Sequence, residues 1–402
     1  MPEFAGGKIE AYVGPDDLGG PDDLEQAIVD FIGGANSSLD IAVQEIDSEP
    51  IAQAILDARW RGVRVRIVLE QDYLCEERLP DDDDKDRPMP EPGESLEDAV
   101  RRWQWTAASG GLAENRRIVS ALLQSNVDVK ADFNPKIFHQ KFILRDNRPV
   151  TLKKGEKPKK RNQALLTGST NFTKTDCHRN LNHVFVFHDD NICDAYQGEF
   201  DEIKRGNFGR DGLGSIPRAY NLNGVPVKVL FAPDDVPEQE VIKQVLKAEK
   251  EIEFAIFTFA GSSGIDDALL MTANAGREIV GALDPTQARP SWAAPRAAPA
   301  WLDHEHISLH LPSEEKMPGF RKLHHKLMTV DSHTAVAGSF NYTAPANEYN
   351  DENLFVIGSA YEKLPKEQGG PVDMDACAQI VDYMRTEIKR IVSKSEEWNA
   401  AA

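Results

Sequence analysis

The sequence predicts an α/β protein made of two tandem units of one design, spanning residues 1–210 and 211–402. Three observations carry that prediction. A short pattern occurs twice: His139-Gln140-Lys141, four residues, Asp146, then Gly168-Ser169-Thr170-Asn171; and His324-His325-Lys326, four residues, Asp331, then Gly338-Ser339-Phe340-Asn341. Strand-like alternation and helix-like periodicity follow one another in the same order in each half. The phrase Ser38-Leu39-Asp40-Ile41-Ala42-Val43 also aligns with Glu251-Ile252-Glu253-Phe254-Ala255-Ile256. A duplicated α/β unit packed about a pseudo-twofold axis accounts for all three. A length of 402 residues suits two cores of about 200 each.

In the first half, Lys8–Val13, Ser38–Gln44 and Val63–Glu70 read as strands, and Asp22–Ile32 and Glu49–Arg61 as helices. The stretch from Asp72 to Gly93 is acidic, contains proline and lacks periodicity, which predicts a surface loop. Helical patterns resume at Ser95–Thr106 and Ala113–Ser125, and the first catalytic-type pattern lies on the apolar run Ile137–Leu144. A strand at His183–Phe187 and a helix at Asp190–Lys204 close the unit. Arg205–Pro226, with five glycines and two prolines, reads as a linker. The second half repeats the order: strand Val227–Phe231, helix Val236–Ala248, strand Glu251–Phe259, helix Ile265–Asn274, strand Glu278–Leu283 and the run Leu323–Val330.

No apolar run approaches the roughly 20 residues of a membrane span, and Met1–Gly14 lacks the charged-then-apolar order of a signal peptide. Cys75, Cys177, Cys193 and Cys377 share no metal-like spacing, so the expectation is a reduced, cytoplasmic protein with incidental thiols. The net charge of −20 is unfavourable for a polyanion partner taken as a whole. Its distribution is uneven. Glu76–Asp98 holds 11 acids and 3 bases, whereas Lys136–Arg161 holds 10 bases and 2 acids. The local field matters more than the total. From Asp to Gly the offset is 22 positions in the first copy and 7 in the second. The difference is nearly all a basic insertion carrying Lys153, Lys154, Lys159, Lys160 and Arg161, expected to track phosphates beside the site.

Positions i and i+2 of a strand share a face, so His139 and Lys141 project together, as do His324 and Lys326, while Gln140 and His325 face the other way. Each copy thus gathers an imidazole, an ammonium and an amide. Two intact copies resemble the signature of the phospholipase D superfamily: HxK, four residues, D, then G-S/G-x-N. The phrases Ile137-Phe138-His139-Gln140-Lys141-Phe142 and Thr167-Gly168-Ser169-Thr170-Asn171-Phe172-Thr173 look most like its bacterial nuclease-type members. That resemblance implies two tandem α/β/α sandwich domains and a two-step reaction through a phosphohistidine, without a metal or other cofactor.

Carried onto this chain, one histidine attacks phosphorus and the other protonates the leaving oxygen, then activates water. Lys141, Lys326, Asn171 and Asn341 would hold the phosphoryl oxygens, with Ser169 and Ser339 as further substrate contacts. Asp146 and Asp331 would be structural. Eleven residues beyond each motif asparagine lies the position that backs the opposite histidine, Glu352 in one half and Asn182 in the other. A carboxylate-backed imidazole is the better nucleophile, so His139 is assigned attack and His324 the acid and base steps.

The histidines of Asp303–His310 read as a polar strand near the cleft rather than a metal cluster, and Trp103 and Trp105 as packing residues. The expected substrate is nucleic acid, foremost DNA, cleaved without stable membrane association by a chain that completes its site as a monomer. The alternative is cleavage or transfer of lipid phosphodiesters, for which Pro290–Trp301 is the one candidate apolar rim.

Overall fold

A computed structural model describes residues 2–71, 90, 93–95, 98–99, 111–134, 136–148, 161–212, 217–358 and 370–398. The first half contributes β1 (Glu3–Phe4), β2 (Ile9–Gly14), β3 (Ser38–Val43), β4 (Arg64–Leu69), β5 (Asp128–Ala131), β6 (Lys141–Arg145), β7 (Ala164–Gly168) and β8 (Asn180–Phe187). The second contributes β9 (Ala219–Leu222), β10 (Val225–Ala232), β11 (Glu251–Ile256), β12 (Glu278–Leu283) and β13 (Ile307–Pro312). It continues with β14 (Lys322–Leu323), β15 (Lys326–Val330), β16 (Thr334–Gly338), β17 (Glu352–Ile357) and β18 (Ser395–Trp398).

The strands form two mixed sheets, ordered β1-β2-β8-β7-β6-β3-β4-β5 and β18-β13-β12-β11-β15-β16-β17-β10-β9. The run β2-β8-β7-β6-β3-β4-β5 matches β10-β17-β16-β15-β11-β12-β13 strand for strand, and the parallel and antiparallel pairings match too. The duplication read from the sequence is therefore a duplication of topology. β14 crosses over: although it belongs to the second half, it pairs with β8 of the first.

Three apolar layers hold the sheets. Helices Leu24–Gly33 and Glu49–Trp60 bury Ile28, Ile32, Ile51 and Ile55 on the outer face of the first sheet. Pro237–Val245 and Ile265–Asn274 do the same for the second through Val241, Val245, Ile265 and Leu269. Between the sheets lies a core drawn from both halves, with helices Asp190–Arg205 and Met374–Ser393 supplying Tyr196, Phe200, Met384 and Ile388. Phe355 meets Phe185 and Phe187 at ring-centroid distances of 5.0 and 5.3 Å. Covered on both faces, β6 and β8 are buried at every position, which explains their continuous apolar runs.

Helix Ile265–Asn274 and strand Glu278–Leu283 lie where periodicity places them. Arg205–Pro226 is not a plain linker. It contains β9 and the start of β10, joined at Asn223-Gly224 with φ of 50° and 92°, the Asn-Gly hairpin signal. The run Leu323–Val330 is not one strand either, because it breaks between β14 and β15 at His324-His325. The loop expected at 72–93 and the helix expected at 95–106, with Trp103 and Trp105, lie almost wholly outside the described residues. Lys153, Lys154, Lys159 and Lys160 lie entirely outside them. Among the described residues no helix is long and apolar enough to cross a membrane.

Candidate active site

Each motif histidine sits just before its strand, and mirror-related contacts fix it there. The peptide N–H of Phe138 donates to Glu70 Oε2 at 2.6 Å, and that of Leu323 to Asp284 Oδ2 at 2.9 Å. Glu70 and Asp284 each follow the last residue of a matched strand, β4 and β12. The next N–H crosses between halves: His139 N donates to Asp351 O and His324 N to Leu181 O, both at 2.9 Å. The imidazoles therefore face one another, 6.3 Å apart between centroids and inclined by 78°. Both come from a single chain.

The lysines fold back beneath them. Lys141 Nζ and Lys326 Nζ each donate to the carbonyl of their own histidine at 2.8 Å. Lys141 also reaches Gln44 Oε1 at 3.1 Å, whereas Lys326 lies 5.1 Å from the centroid of the Phe257 ring. Gln140 and His325 turn the other way, into the interface between halves, as strand alternation requires. Asn171 and Asn341 line the cleft, and their side-chain oxygens are buried without a hydrogen-bond partner.

Ser169 and Ser339 do not reach the cleft. Both are fully buried, with Ser169 Oγ donating to Asn182 Oδ1 at 2.7 Å and Ser339 Oγ to Glu352 Oε2 at 2.7 Å. Their hydroxyls steady the residues behind the histidines, because the glycine before each lets its strand run against the neighbouring one. A Cβ on Gly168 or Gly338 would overlap the carbonyl of His183 or Asn353.

Behind the histidines the halves differ. Glu352 Oε2 lies 2.6 Å from His139 Nδ1. Asn182 Oδ1 lies 3.0 Å from His324 Nδ1, and its amide nitrogen donates to Asp176 O at 3.0 Å, so Oδ1 is the end that accepts. A carboxylate absent from the sequence reading, Asp176, comes within 3.5 Å of the same Nδ1. Burial holds both imidazoles well below their ordinary range, helped by Lys141 and Lys326. It pushes Glu352 up to about 8 against the opposing pull of Lys141, and lowers Lys141 to about 8.

Asp146 and Asp331 point away from the reaction centre. Asp146 accepts from the backbone N–H groups of Asn36, Ser37, Ser38 and Asn162, and Asp331 from those of Glu249, Lys250 and Glu251. Arg161 is a correction. Its guanidinium donates to the carbonyls of Asp146 and Asn147, at the end of β6 opposite His139. The residues bracketing the basic insertion are thus at the far end of the sheet, not beside the site. His304 and His306 pair with Asn274 and Glu278 just before β13 and contribute nothing to the cleft lining.

The cleft of about 810 Å³ has two unlike walls. The first half lines it with Gln44, Glu45, Asp47 and Asp176, and the second with Phe257, Thr258, Ala260 and Trp292. Exposed Arg321 and Lys322 edge the side of His324, and the backbone N–H of Arg321 binds the carbonyl of exposed Arg179. Lys322 Nζ lies 5.6 Å from the Phe257 centroid. Trp292 is 46% exposed at the rim, but Trp301 is fully buried against Phe259, so Pro290–Trp301 is only partly a rim.

Sequence reasoning missed Glu70, Asp284, Asp176 and Phe257. For Asp176 the available signal was its place three residues after Thr173, which caps a short helix, where the second half has Ala346. The other three follow strand ends, and only the register of the fold ties them to the site.

Paired α/β sheets bringing two imidazoles, two ammoniums and two amides to one cleft define a protein that handles a tetrahedral oxyanion. The chain belongs to the phospholipase D-like family, matching the family described as cardiolipin synthase, PLD-like domain, over residues 28–204 and 241–367. It is 23% identical to human mitochondrial cardiolipin hydrolase over 169 residues, 42% of this chain and 46% of that protein. The chain spans about half the length of the curated relatives it matches. Its fold is similar to phosphatidylserine synthase of Haemophilus influenzae Rd KW20, with a TM-score of 0.58 at 11% identity, covering 99% of this chain and 89% of that one. The phospholipase D family member Nuc from Salmonella typhimurium overlays 44% of this chain and 99% of its own, with a TM-score of 0.35 at 18% identity.

Proposed function

We propose that the protein is a nuclease whose foremost substrate is DNA, cleaved through a phosphohistidine on His139 and without a metal. Support for the nucleic-acid reading comes chiefly from the cleft lining on the second half, where exposed Arg321 and Lys322 join Phe257 and Trp292. Cations there would meet phosphates flanking the scissile one, and aromatic faces would meet bases.

In this mechanism the ionised form of Glu352, which burial shifts towards alkaline pH, accepts from His139 Nδ1–H, leaving the lone pair on Nε2 to attack phosphorus. As the P–N bond forms, the P–O bond breaks; its electron pair stays on the leaving oxygen, which takes a proton from His324 Nε2. His324 then removes a proton from water, whose oxygen bonds to phosphorus while the P–N electrons return to His139. Lys141, Lys326, Asn171 and Asn341 hold the non-bridging oxygens throughout. Incubation with single- and double-stranded DNA, RNA and phosphatidyl vesicles, each in excess EDTA, tests the reading. Nucleic-acid cleavage that disappears in His139→Ala is expected. Lipid turnover with no nucleic-acid cleavage would sink it.

A second reading, hydrolysis or transfer of lipid phosphodiesters, is favoured by one observation. Ile137 and Trp292, 47% and 46% exposed, flank the cleft with apolar surface.

A further inference from the structure

Each half carries one carboxylate aimed at the opposite histidine, but the two occupy different positions. Counting from the motif asparagine, the second half places Glu352 at the eleventh residue and alanine, Ala346, at the fifth. The first half reverses this, with Asn182 at the eleventh and Asp176 at the fifth. We infer that Asp176 is the relocated partner of His324, a positioning residue that makes His324 the acid of the proposed phosphodiesterase reaction.

The geometry holds Asp176 in this role. Its Oδ2 lies 3.5 Å from His324 Nδ1 and accepts from Asn171 N at 2.8 Å. Asn180 Nδ2 donates to Oδ1, and Thr173 Oγ accepts from the Asp176 N–H at 3.1 Å. The side chain is buried, so its orientation is fixed. Asn182 sits between: its Oδ1 takes the Nδ1–H of His324 while its Nδ2 holds the backbone of Asp176.

The offset has a chemical consequence. As an acid, His324 must carry protons on both nitrogens, yet burial, Lys326, Lys141 and His139 all oppose that charge. A neutral amide alone cannot compensate them, whereas a carboxylate 3.5 Å from Nδ1 can. Asp176 at one remove stabilises the imidazolium without a direct bond. His139, touching Glu352 at 2.6 Å, has the arrangement suited to a nucleophile. Proton balance follows: the Nε2 proton leaves with the departing oxygen and returns from the attacking water, while the other proton stays on His324 Nδ1, donated to Asn182 Oδ1.

The test uses two aryl diesters differing in leaving group, bis(4-nitrophenyl) phosphate and diphenyl phosphate, with pH profiles of kcat. The nitrophenolate is a much weaker base and needs little protonation. Asp176→Asn is expected to lose roughly tenfold or more on diphenyl phosphate and less than about threefold on the nitrophenyl diester. The basic limb of its diphenyl phosphate profile should move down by about one pH unit. Adding Asn182→Asp to that variant, which restores the layout of the other half, should return the limb. Should Asp176→Asn not fold, Asn182→Asp alone should move the limb upward. Equal losses on both diesters, or a basic limb that no variant moves, would overturn the role of Asp176 alone. A wild-type protein that turns over neither diester overturns the phosphodiesterase reading, and this inference with it.

Discussion

Glu352 is buried against a histidine and two lysines, and its protonation connects the site to the stability of the whole chain. Burial raises its carboxyl to about 8, so between the ordinary value of 4.5 and 8 the folded state holds a proton that the unfolded chain has released. The contribution is fully present below 4.5 and lost as pH rises through about 8. His139 and His324, held low by burial, act in the opposite sense, but only below their ordinary 6.5. Lys141, lowered to about 8, and Lys326, lowered well below its ordinary range, also act in the opposite sense. The test is therefore the difference between proteins: from pH 6.5 to 8 Glu352→Gln should lose about 1–2 kcal/mol less stability than wild type. Glu45 and Asp351, each raised to about 7 by burial, leave a residual slope of the same sign. Urea midpoints at the two pH values measure the difference, and slopes identical in both proteins would contradict it. At this scale the sequence was uneven. Glu352 was legible because its spacing repeats a known position, but Asp176 was not, since its counterpart is Ala346. Arg161 misled because charge does not reveal that a guanidinium is committed to two backbone carbonyls.

At the level of elements, the motif aspartates are turn residues. Asp146 and Asp331 directly follow β6 and β15 with φ of 53° and 50°, a region aspartate and asparagine tolerate better than other side chains. From there each carboxylate collects the N–H groups that begin the neighbouring strand, β3 or β11. Burial opposes ionisation of Asp146, but the bonds from Ser37, Ser38 and Asn162 outweigh it and lower its pKa. Asp146→Ala should cost about 2–4 kcal/mol, because several N–H groups lose their acceptor and alanine must adopt a left-handed φ. Asp146→Asn keeps the turn and one acceptor, so a smaller loss is expected. Denaturant melts read both, and kcat per folded molecule should stay within about twofold of wild type; a large kcat loss in a stably folded variant would place Asp146 in the chemistry. The long amphipathic elements were readable for the same reason the turns were not: periodicity is a local property. Helix Met374–Ser393 nonetheless has a clear start at Asp373, whose carboxylate caps Ala376 N, and it went unread. Strands β7 and β16 are five residues each, fully buried, too short to show a period of their own.

The whole molecule is a duplication whose halves no longer match where they meet. In one copy of the interface Asn353 Nδ2 donates to Gln140 Oε1 at 2.8 Å and Gln140 Nε2 to Glu199 Oε1 at 3.2 Å. In the other, the equivalent positions are His183, His325 and Glu387. Gly338 N donates to His183 Nε2, so His183 carries its proton on Nδ1 and gives it to His325 Nδ1 at 3.1 Å. His325 Nε2 then faces Glu387 Oε1 at 3.4 Å, and Arg390 grips that carboxylate. Burial raises both acids, yet Glu387 ends low because His325 and Arg390 outweigh it, while Glu199, next to Asp351 and Asp234, ends high. These buried networks lie beside the core shared by both sheets, and each half supplies the backing group of the other's histidine. Neither half can therefore lose its structure without exposing apolar surface and unpaired polar groups of its partner. Calorimetry should show one cooperative transition rather than two. Phe355→Ala, which removes the ring between Phe185 and Phe187, should lower that single transition by about 3–5 kcal/mol of stability. Two resolved transitions in wild type, or a Phe355→Ala variant in which only the second half melts early, would show that the halves fold independently despite their shared core.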